Sequence, residues 1–312
     1  MLGPSSPAPL AAIVGPTASG KSDLALALAR QIPLEIIVAD SRQVRRGMDI
    51  GTAKPDAAAR SAVPHHLLDL VAPDEPFSVA DWVAAARPLV DGIAGRGHLP
   101  LVVCGTGLYL AALVDGYDLS SAPPSPALRL ELEREIGERG IGALALRLTA
   151  RDPTAAARID LRNPRRLIRA LERSAQAAQP NHPWSGPLVI IGLHRPLDVL
   201  DRRINARAAR LFADGILEEV AALMAAGYSP DLATMTGHGY REAARVLSEE
   251  SSLEDAIGTT ARRTRQYARR QRSWFSRDET ISWINAGDLP ADHPEVVDEA
   301  RAVLLAARTG AL

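Results

Sequence analysis

The chain has 312 residues and a formal net charge of −1. That length can bury one large core, or a core with a smaller inserted domain, and the near-neutral balance excludes a uniformly basic nucleic-acid coat while leaving room for local patches. Its one cysteine, Cys104, can form neither an internal disulfide nor a cysteine-based zinc site, which fits a reducing compartment.

Residues 1–9 carry Pro and Ser but no basic segment, and the apolar run that follows breaks at Gly15-Pro16, unlike a signal peptide. No stretch of about 18 apolar residues occurs, so no transmembrane helix is expected and a soluble cytoplasmic protein is the default. Only two of the 36 basic residues are lysines, Lys21 and Lys54, and both sit in Gly-containing segments of the first sixty residues. A compact ammonium kept at two places in an arginine-rich chain marks those places as candidate sites.

In chain order, Leu10 to Val14 reads as a short apolar strand, and Ser22 to Arg30 as a helix with Leu24, Ala25 and Leu28 at helical spacing. Between them, Gly15, Pro16, Thr17, Ala18, Ser19, Gly20, Lys21 and Ser22 match G-x-x-x-x-G-K-[ST]. In this P-loop the backbone N–H groups and helix N-terminus cradle phosphate oxygens, Lys21 reaches the outer phosphate and Ser22 ligates Mg2+.

Glu35 to Ala39 forms a second strand, ending on Asp40. In a parallel sheet Asp40 faces the same crevice as the P-loop, although a turn or helix cap explains an Asp there equally well. A third strand, Leu99 to Cys104, delivers Gly105-Thr106-Gly107, where glycines admit a ligand and Thr106 supplies a hydroxyl. Alone, a Gly-Thr-Gly turn is weak evidence.

The segments GPTASGKS, ADSRQ and CGTGLY, with Met48 to Pro55 (MDIGTAKP), Pro64 to Asp69 (PHHLLD), Arg265 to Gln271 (RQYARRQ) and Trp274-Phe275, closely resemble the tRNA dimethylallyltransferase family. The resemblance covers roughly residues 10 to 285, and DSRQ followed by GMDIGTAKP is its most specific part. It implies transfer of a dimethylallyl group from dimethylallyl diphosphate to N6 of the adenosine beside the anticodon, position 37, with release of Mg2+-bound pyrophosphate.

In that reading the P-loop holds a diphosphate, Asp40 accepts the amine proton and Thr106 stabilises the leaving group. The resemblance puts Asp40, Ser41, Arg42, Gln43 and Thr106 against the flipped adenine and its neighbours, with Gln43 offering the paired donor and acceptor that suits an adenine edge. One departure stands out. Arg45 occupies a position where the family commonly has Tyr, which puts packing of the prenyl chain or loop in question and makes a phosphate contact conceivable.

Pro and Ser cluster at 120–126, and a second cluster at 179–187 precedes an apolar strand, Leu188 to Leu193; only helical patterns such as Leu128 to Arg139 lie between. The expected architecture is an α/β fold: a P-loop NTPase-like parallel-sheet core flanked by helices (8–118 and 187–290), an inserted helical tRNA-binding domain (119–186) and a C-terminal helix or tail (291–312). In the insert, Asn163 and Pro164 start a helix carrying a row of arginines. An Arg row is most often a solvated face, but the resemblance assigns RNA contact to Arg165, Arg166, Leu167, Ile168 and Arg169, and by an approximate alignment to Arg129.

Leu253 to Phe275 reads as a long helix with Ile257, Thr260, Thr264, Ala268, Gln271 and Phe275 on one side. From Arg262 to Arg277 there are seven arginines and no acid, a local basic footprint that the net charge conceals. Tyr267 and Trp274 offer stacking surfaces, with core packing the expected use of each. The expected partners are the tRNA anticodon loop and dimethylallyl diphosphate, with no membrane and a monomeric chain. Three other readings stay open: a P-loop small-molecule kinase, which leaves the arginine-rich segments unexplained, an RNA-binding protein with a degenerate nucleotide site, and a prenyltransferase of free adenylate.

Overall fold

The computed structural model describes residues 8–116, 126–174 and 183–308. Most of the Pro- and Ser-rich segment 120–126, and residues 179–182 of the second cluster, lie outside them. The elements run β1 (Leu10–Val14), α1 (Lys21–Ala29), β2 (Leu34–Ala39), α2 (Ala57–Ala62), β3 (His65–His66), α3 (Val79–Gly95), β4 (Leu99–Cys104) and α4 (Gly107–Val114). Four helices follow, α5 (Pro126–Arg139), α6 (Ile141–Arg151), α7 (Pro153–Arg158) and α8 (Pro164–Ser174). The chain then forms β5 (Leu188–His194), α9 (Leu197–Ala213), α10 (Ile216–Ala225), α11 (Tyr240–Leu247), α12 (Leu253–Phe275), β6 (Ile281–Asn285) and α13 (Pro294–Arg308).

The six strands form one parallel sheet in the order β3-β2-β4-β1-β5-β6. Every residue of β1 and β2 is buried, as expected for central parallel strands covered on both faces. Ala11 and Ile13 of β1, Ile36 and Val38 of β2, and Ile191 and Leu193 of β5 share one cluster with Leu24 and Leu28 of α1 and with Val296, Val297, Ala300 and Leu304 of α13. The C-terminal helix thus completes this side of the core. Helix α3 packs on β2 and β4 and buries Trp82, whose indole N–H donates to the Val38 carbonyl at 2.9 Å. Its start is held by a capping box between Ser78 and Asp81.

The chain divides into two compact units, residues 1–113 with 185–312, and residues 114–184. The second is all helical in its described part, with Leu132, Leu144, Leu148, Leu167, Ile168 and Leu171 of α5, α6 and α8 forming its core. Asn163 Oδ1 accepts from Arg166 N at 3.2 Å, the bond of an N-cap at the start of α8. Among the described residues no helix is long and apolar enough to cross a membrane.

Candidate active site

Strands β1, β2 and β4 end level with one another, because Cys104 pairs with Val14 on one side and with Ala39 on the other. The residues that follow, Gly15, Asp40 and Gly105, therefore leave three neighbouring strands at one edge of the sheet. That edge is where open α/β sheets bind ligands.

The loop from Gly15 to Gly20 is shaped from outside by two arginines. Arg195, 2% exposed, donates from Nε to the Ser19 carbonyl at 2.6 Å and from Nη1 to those of Gly287 and Leu289, while Arg203 Nε donates to the Ala18 carbonyl at 2.9 Å. Gly15 has φ +145°, and a Cβ there would lie 2.9 Å from the Leu193 carbonyl oxygen, so the turn has no room for a side chain. Lys21 opens α1 and donates from Nζ to the Pro16 carbonyl at 2.9 Å. Burial pushes its pKa down to about 8, Cys104 and Asp40 opposing that shift and Arg207 adding to it. Ser22 is exposed in the first turn of α1, where no side chain caps the N–H groups left without helical acceptors.

One oxygen of Asp40 accepts from Arg42 N at 2.8 Å and Gln43 N at 3.3 Å, capping the turn after β2. The other has no hydrogen-bond partner among the described residues. Capping and chemistry were alternatives in the sequence; the side chain has an oxygen for each. Thr106 accepts on its carbonyl from the Cys104 thiol at 3.0 Å and from Tyr109 N at 3.1 Å, which orients it at the start of α4. Its hydroxyl lies 3.4 Å from that of Tyr267. Burial lifts the Cys104 thiol to about 12, so it stays protonated.

The neighbours of Asp40 are more committed than their spacing implies. Arg42 donates from Nη1 to the Thr234 carbonyl, and Gln43 Nε2 donates to the carbonyls of Thr52 at 3.0 Å and Ala53 at 3.2 Å. Gln43 thus has only its oxygen free, and the paired donor and acceptor for an adenine edge is not presented in this conformation. Ser41 is exposed.

Arg45 meets no phosphate-binding group: it is 7% exposed and donates from Nη1 to the carbonyls of Ala72, at 3.0 Å, and Glu75. Lys54, with its side chain 1% exposed, pairs with Asp49 at 2.6 Å and Asp69 at 2.5 Å and donates to the Arg45 carbonyl. Beside it, Asp49, Ile50 and Gly51 turn their N–H groups onto the carboxylate of Glu219, at 2.9, 2.6 and 3.2 Å. The GMDIGTAKP segment is therefore a brace that grips its own anion. At the opposite end of β2, buried Glu35 takes both Nε and Nη2 of Arg96, with His66 at 2.6 Å and His98 at 2.9 Å. The bonds from Arg96 are the main reason its carboxyl falls to about 2.

Two contributors escaped the sequence reading. Arg207, four residues after Arg203 on α9, has no hydrogen-bond or ion-pair partner among the described residues, yet lies within electrostatic reach of Lys21 and Asp40. Gln271 reaches back 254 residues to accept from Thr17 N at 2.8 Å, and its Nε2 donates to the Gly105 carbonyl. Trp274 corrects the expectation of core packing: it is 49% exposed. Tyr267 is partly buried, tilted against His238 with ring centroids 5.5 Å apart.

The basic face of α12 is partly neutralised. Arg263 pairs with Glu242, Arg265 donates to Asn205, and Arg269 lies 3.5 Å from Asp201. Within the helical unit, Arg129 makes a bidentate pair with buried Glu172 at 3.2 and 3.1 Å, and Arg169 reaches the same carboxylate at 3.2 Å. Arg165 and Arg166 are exposed, whereas Leu167 and Ile168 are buried in the unit's core, so an RNA contact at those two would involve the backbone.

Residues 43–278 match the IPP transferase family, and residues 8–63 match isopentenyl transferase. A tRNA dimethylallyltransferase of Roseiflexus castenholzii is 46% identical over 304 residues, covering 95% of this chain and 97% of that protein. One from Moorella thermoacetica is 45% identical over 88% of this chain and 89% of its own length. Among solved structures, the tRNA isopentenylpyrophosphate transferase of Bacillus halodurans superposes with TM-score 0.73 at 39% identity, covering 97% of each chain. A eukaryotic dimethylallyltransferase acting on tRNA shares the fold, with TM-score 0.81 at 23% identity over 97% of this chain and 80% of that one. The chain belongs to the tRNA dimethylallyltransferase family.

Proposed function

We infer that the chain transfers the dimethylallyl group of dimethylallyl diphosphate to N6 of adenosine 37 in tRNA, releasing pyrophosphate. The level ending of β1, β2 and β4, with a phosphate cradle, a carboxylate and a hydroxyl at one edge, carries the assignment of residues.

Residues Gly15 to Ser22 hold the diphosphate through backbone N–H groups and the Lys21 ammonium, with Arg207 as a second cation. As N6 attacks C1, the C1–O bond breaks and charge develops on the bridging oxygen. A preorganised donor is worth most there, and the Thr106 hydroxyl is suited to that task. The free oxygen of Asp40 takes the proton that N6 loses, a step for which a carboxylate base contributes typically 10²–10⁴-fold. The adenine must leave its stack to reach the edge of the sheet, which suits an exposed anticodon-loop base.

Among the described residues no group of three or more His, Cys, Asp or Glu side chains could hold a metal. A lone hydroxyl beside a phosphate cradle fits Mg2+, which binds through few protein ligands and several phosphate oxygens. Ser22 would hold it, and the ion would neutralise charge on the departing pyrophosphate. Arg165 and Arg166, Arg129 and Arg169 beside Glu172, the backbone at Leu167 and Ile168, and Ser41, Arg42 and Gln43 form the proposed tRNA contacts. A monomeric chain acting in the cytoplasm completes the reading.

The deciding experiment incubates the purified chain with labelled dimethylallyl diphosphate and unmodified tRNA, and in parallel with ATP and candidate alcohols. Label is expected in tRNA as N6-isopentenyladenosine. Its absence from tRNA, or transfer to free AMP in preference, would sink the assignment.

A further inference from the structure

Three side chains on one face of α12, at spacings of four and three, meet three consecutive residues of the turn after β4. Tyr267 places its hydroxyl 3.4 Å from that of Thr106. Gln271 donates to the Gly105 carbonyl. Trp274 lies over Gly107, where a Cβ would come within 2.0 Å of the indole nitrogen. The helix that carries the arginine-rich face is thus fitted to the Gly105-Thr106-Gly107 turn residue by residue.

Gln271 does more than pack. Its carboxamide is 7% exposed, with its oxygen on Thr17 N of the phosphate loop and its nitrogen on the Gly105 carbonyl of the Thr106 turn. The two loops leave adjacent strands and have no backbone hydrogen bond to each other among the described residues. A planar amide with one acceptor and one donor end fixes both the separation of these loops and their relative direction. A Cβ at Gly105 would lie 3.2 Å from Gln271 Nε2 and 4.0 Å from Lys21 Nζ, so the bridge stands directly beside the ammonium.

We propose that Gln271 is a positioning residue that sets the distance between the diphosphate cradle and the Thr106 hydroxyl, so that the leaving oxygen of a cradled ligand faces that hydroxyl. This rests on the roles given above to the P-loop and Thr106. The 3.4 Å contact from Tyr267 is long for an O–H···O bond and tightens as the ligand seats, since catalytic hydrogen bonds are often loose before substrate arrives.

Two substitutions separate positioning from mere stability. Gln271→Leu removes both hydrogen bonds and leaves Lys21 unchanged. The expected result is a fall in kcat of about tenfold, the size of one misplaced charge-assisted contact, with KM for dimethylallyl diphosphate changed less than about threefold. Gln271→Glu is isosteric, so it keeps the test open if the leucine variant folds poorly. It puts a carboxylate beside Lys21 that competes with the diphosphate, and KM is expected to rise about tenfold or more.

The full chain is assayed with labelled dimethylallyl diphosphate and tRNA, well below each variant's measured thermal midpoint, together with Thr106→Ala and the Thr106→Ala/Gln271→Leu double variant. If Gln271 acts through Thr106, the double variant is no slower than Thr106→Ala alone. Fully additive losses, or parallel changes in kcat and KM in both Gln271 variants, would overturn the positioning role alone. Wild-type turnover in Thr106→Ala would overturn it together with the assignment of Thr106.

Discussion

Lys21 gives the proposed site a pH signature. Its ammonium is held near pKa 8 in the free protein, mainly by burial, so it is cationic below pH 8 and loses its proton above. Only the cation strengthens the grip on a diphosphate. A hydrogen bond to a charged group contributes about 1.5–3 kcal/mol, which is about 10- to 150-fold in affinity. By linkage, the bound ligand lifts the Lys21 pKa by the logarithm of that factor, to about 9–10.

The KM for dimethylallyl diphosphate should therefore be flat below pH 8. It should rise by up to tenfold per unit above that, and level off near pH 10. The ligand itself does not confuse the profile, because the last phosphate ionisation lies near pH 6. Steady-state kinetics at saturating tRNA over pH 6.5–10 measures this directly. Lys21→Met should start at the high plateau and lose the pH dependence, while Arg207→Met should raise KM and keep the rise above pH 8, since guanidinium does not titrate there. A flat wild-type profile to pH 10, or a Lys21→Met variant that still shows the rise, would refute the argument.

Asp40→Asn keeps an oxygen to cap Arg42 N, so the thermal midpoint should move by less than about 2 °C while turnover falls 10²- to 10⁴-fold and tRNA affinity, read by filter binding, is kept. Lys54→Met leaves Asp49 and Asp69 without their shared cation; because Asp49 is more than half exposed, the cost is about 2–3 kcal/mol rather than the larger penalty of a fully buried pair, and denaturant unfolding should register it. Glu35, held near pKa 2 against an ordinary 4.5, contributes stability that is complete above pH 4.5 and lost as pH falls toward 2. After allowance for the half-exposed Arg96 that is about 2 kcal/mol, and in Glu35→Gln unfolding that part of the acid dependence should be gone.

Short apolar runs closed by glycine made β1, β2, β4 and β5 readable, because buried parallel strands need no alternation to declare themselves. Strand β6 did not declare itself, since ISWIN at the sheet edge exposes Trp283 and mixes polar with apolar residues, and β3 has only two residues. In the site, Lys21, Asp40 and Thr106 stood out because each follows a strand end within a few residues. Arg207 and Gln271 did not. One is among 34 arginines and lies on a helix with no motif of its own; the other reads as one more residue on the inner face of α12, and its partner Thr17 is 254 residues away. Chemistry delivered by strand ends is local in sequence, whereas the groups that brace it arrive by packing.

The two lysines show why an arginine-rich chain retains any. At Lys54, three acceptors from Arg45, Asp49 and Asp69 converge on a side chain that is 1% exposed, and a tetrahedral ammonium has three donors to match them. A planar guanidinium would spread its five N–H groups in one plane and leave several unpaired in a closed space. At Lys21 the same compactness lets the nitrogen rest on the Pro16 carbonyl inside the loop it serves, 4.0 Å from where a Cβ on Gly105 would be. The two sites differ in what remains after folding. Lys54 has all three donors engaged by the protein, while Lys21 has one protein acceptor and two donors left over. Arg195 and Arg203 do the opposite work, holding the outward carbonyls of the loop with wide, fixed forks. The division between residue types follows the division of tasks: guanidinium where backbone must be braced, ammonium where a point charge must fit a closed space or meet a ligand.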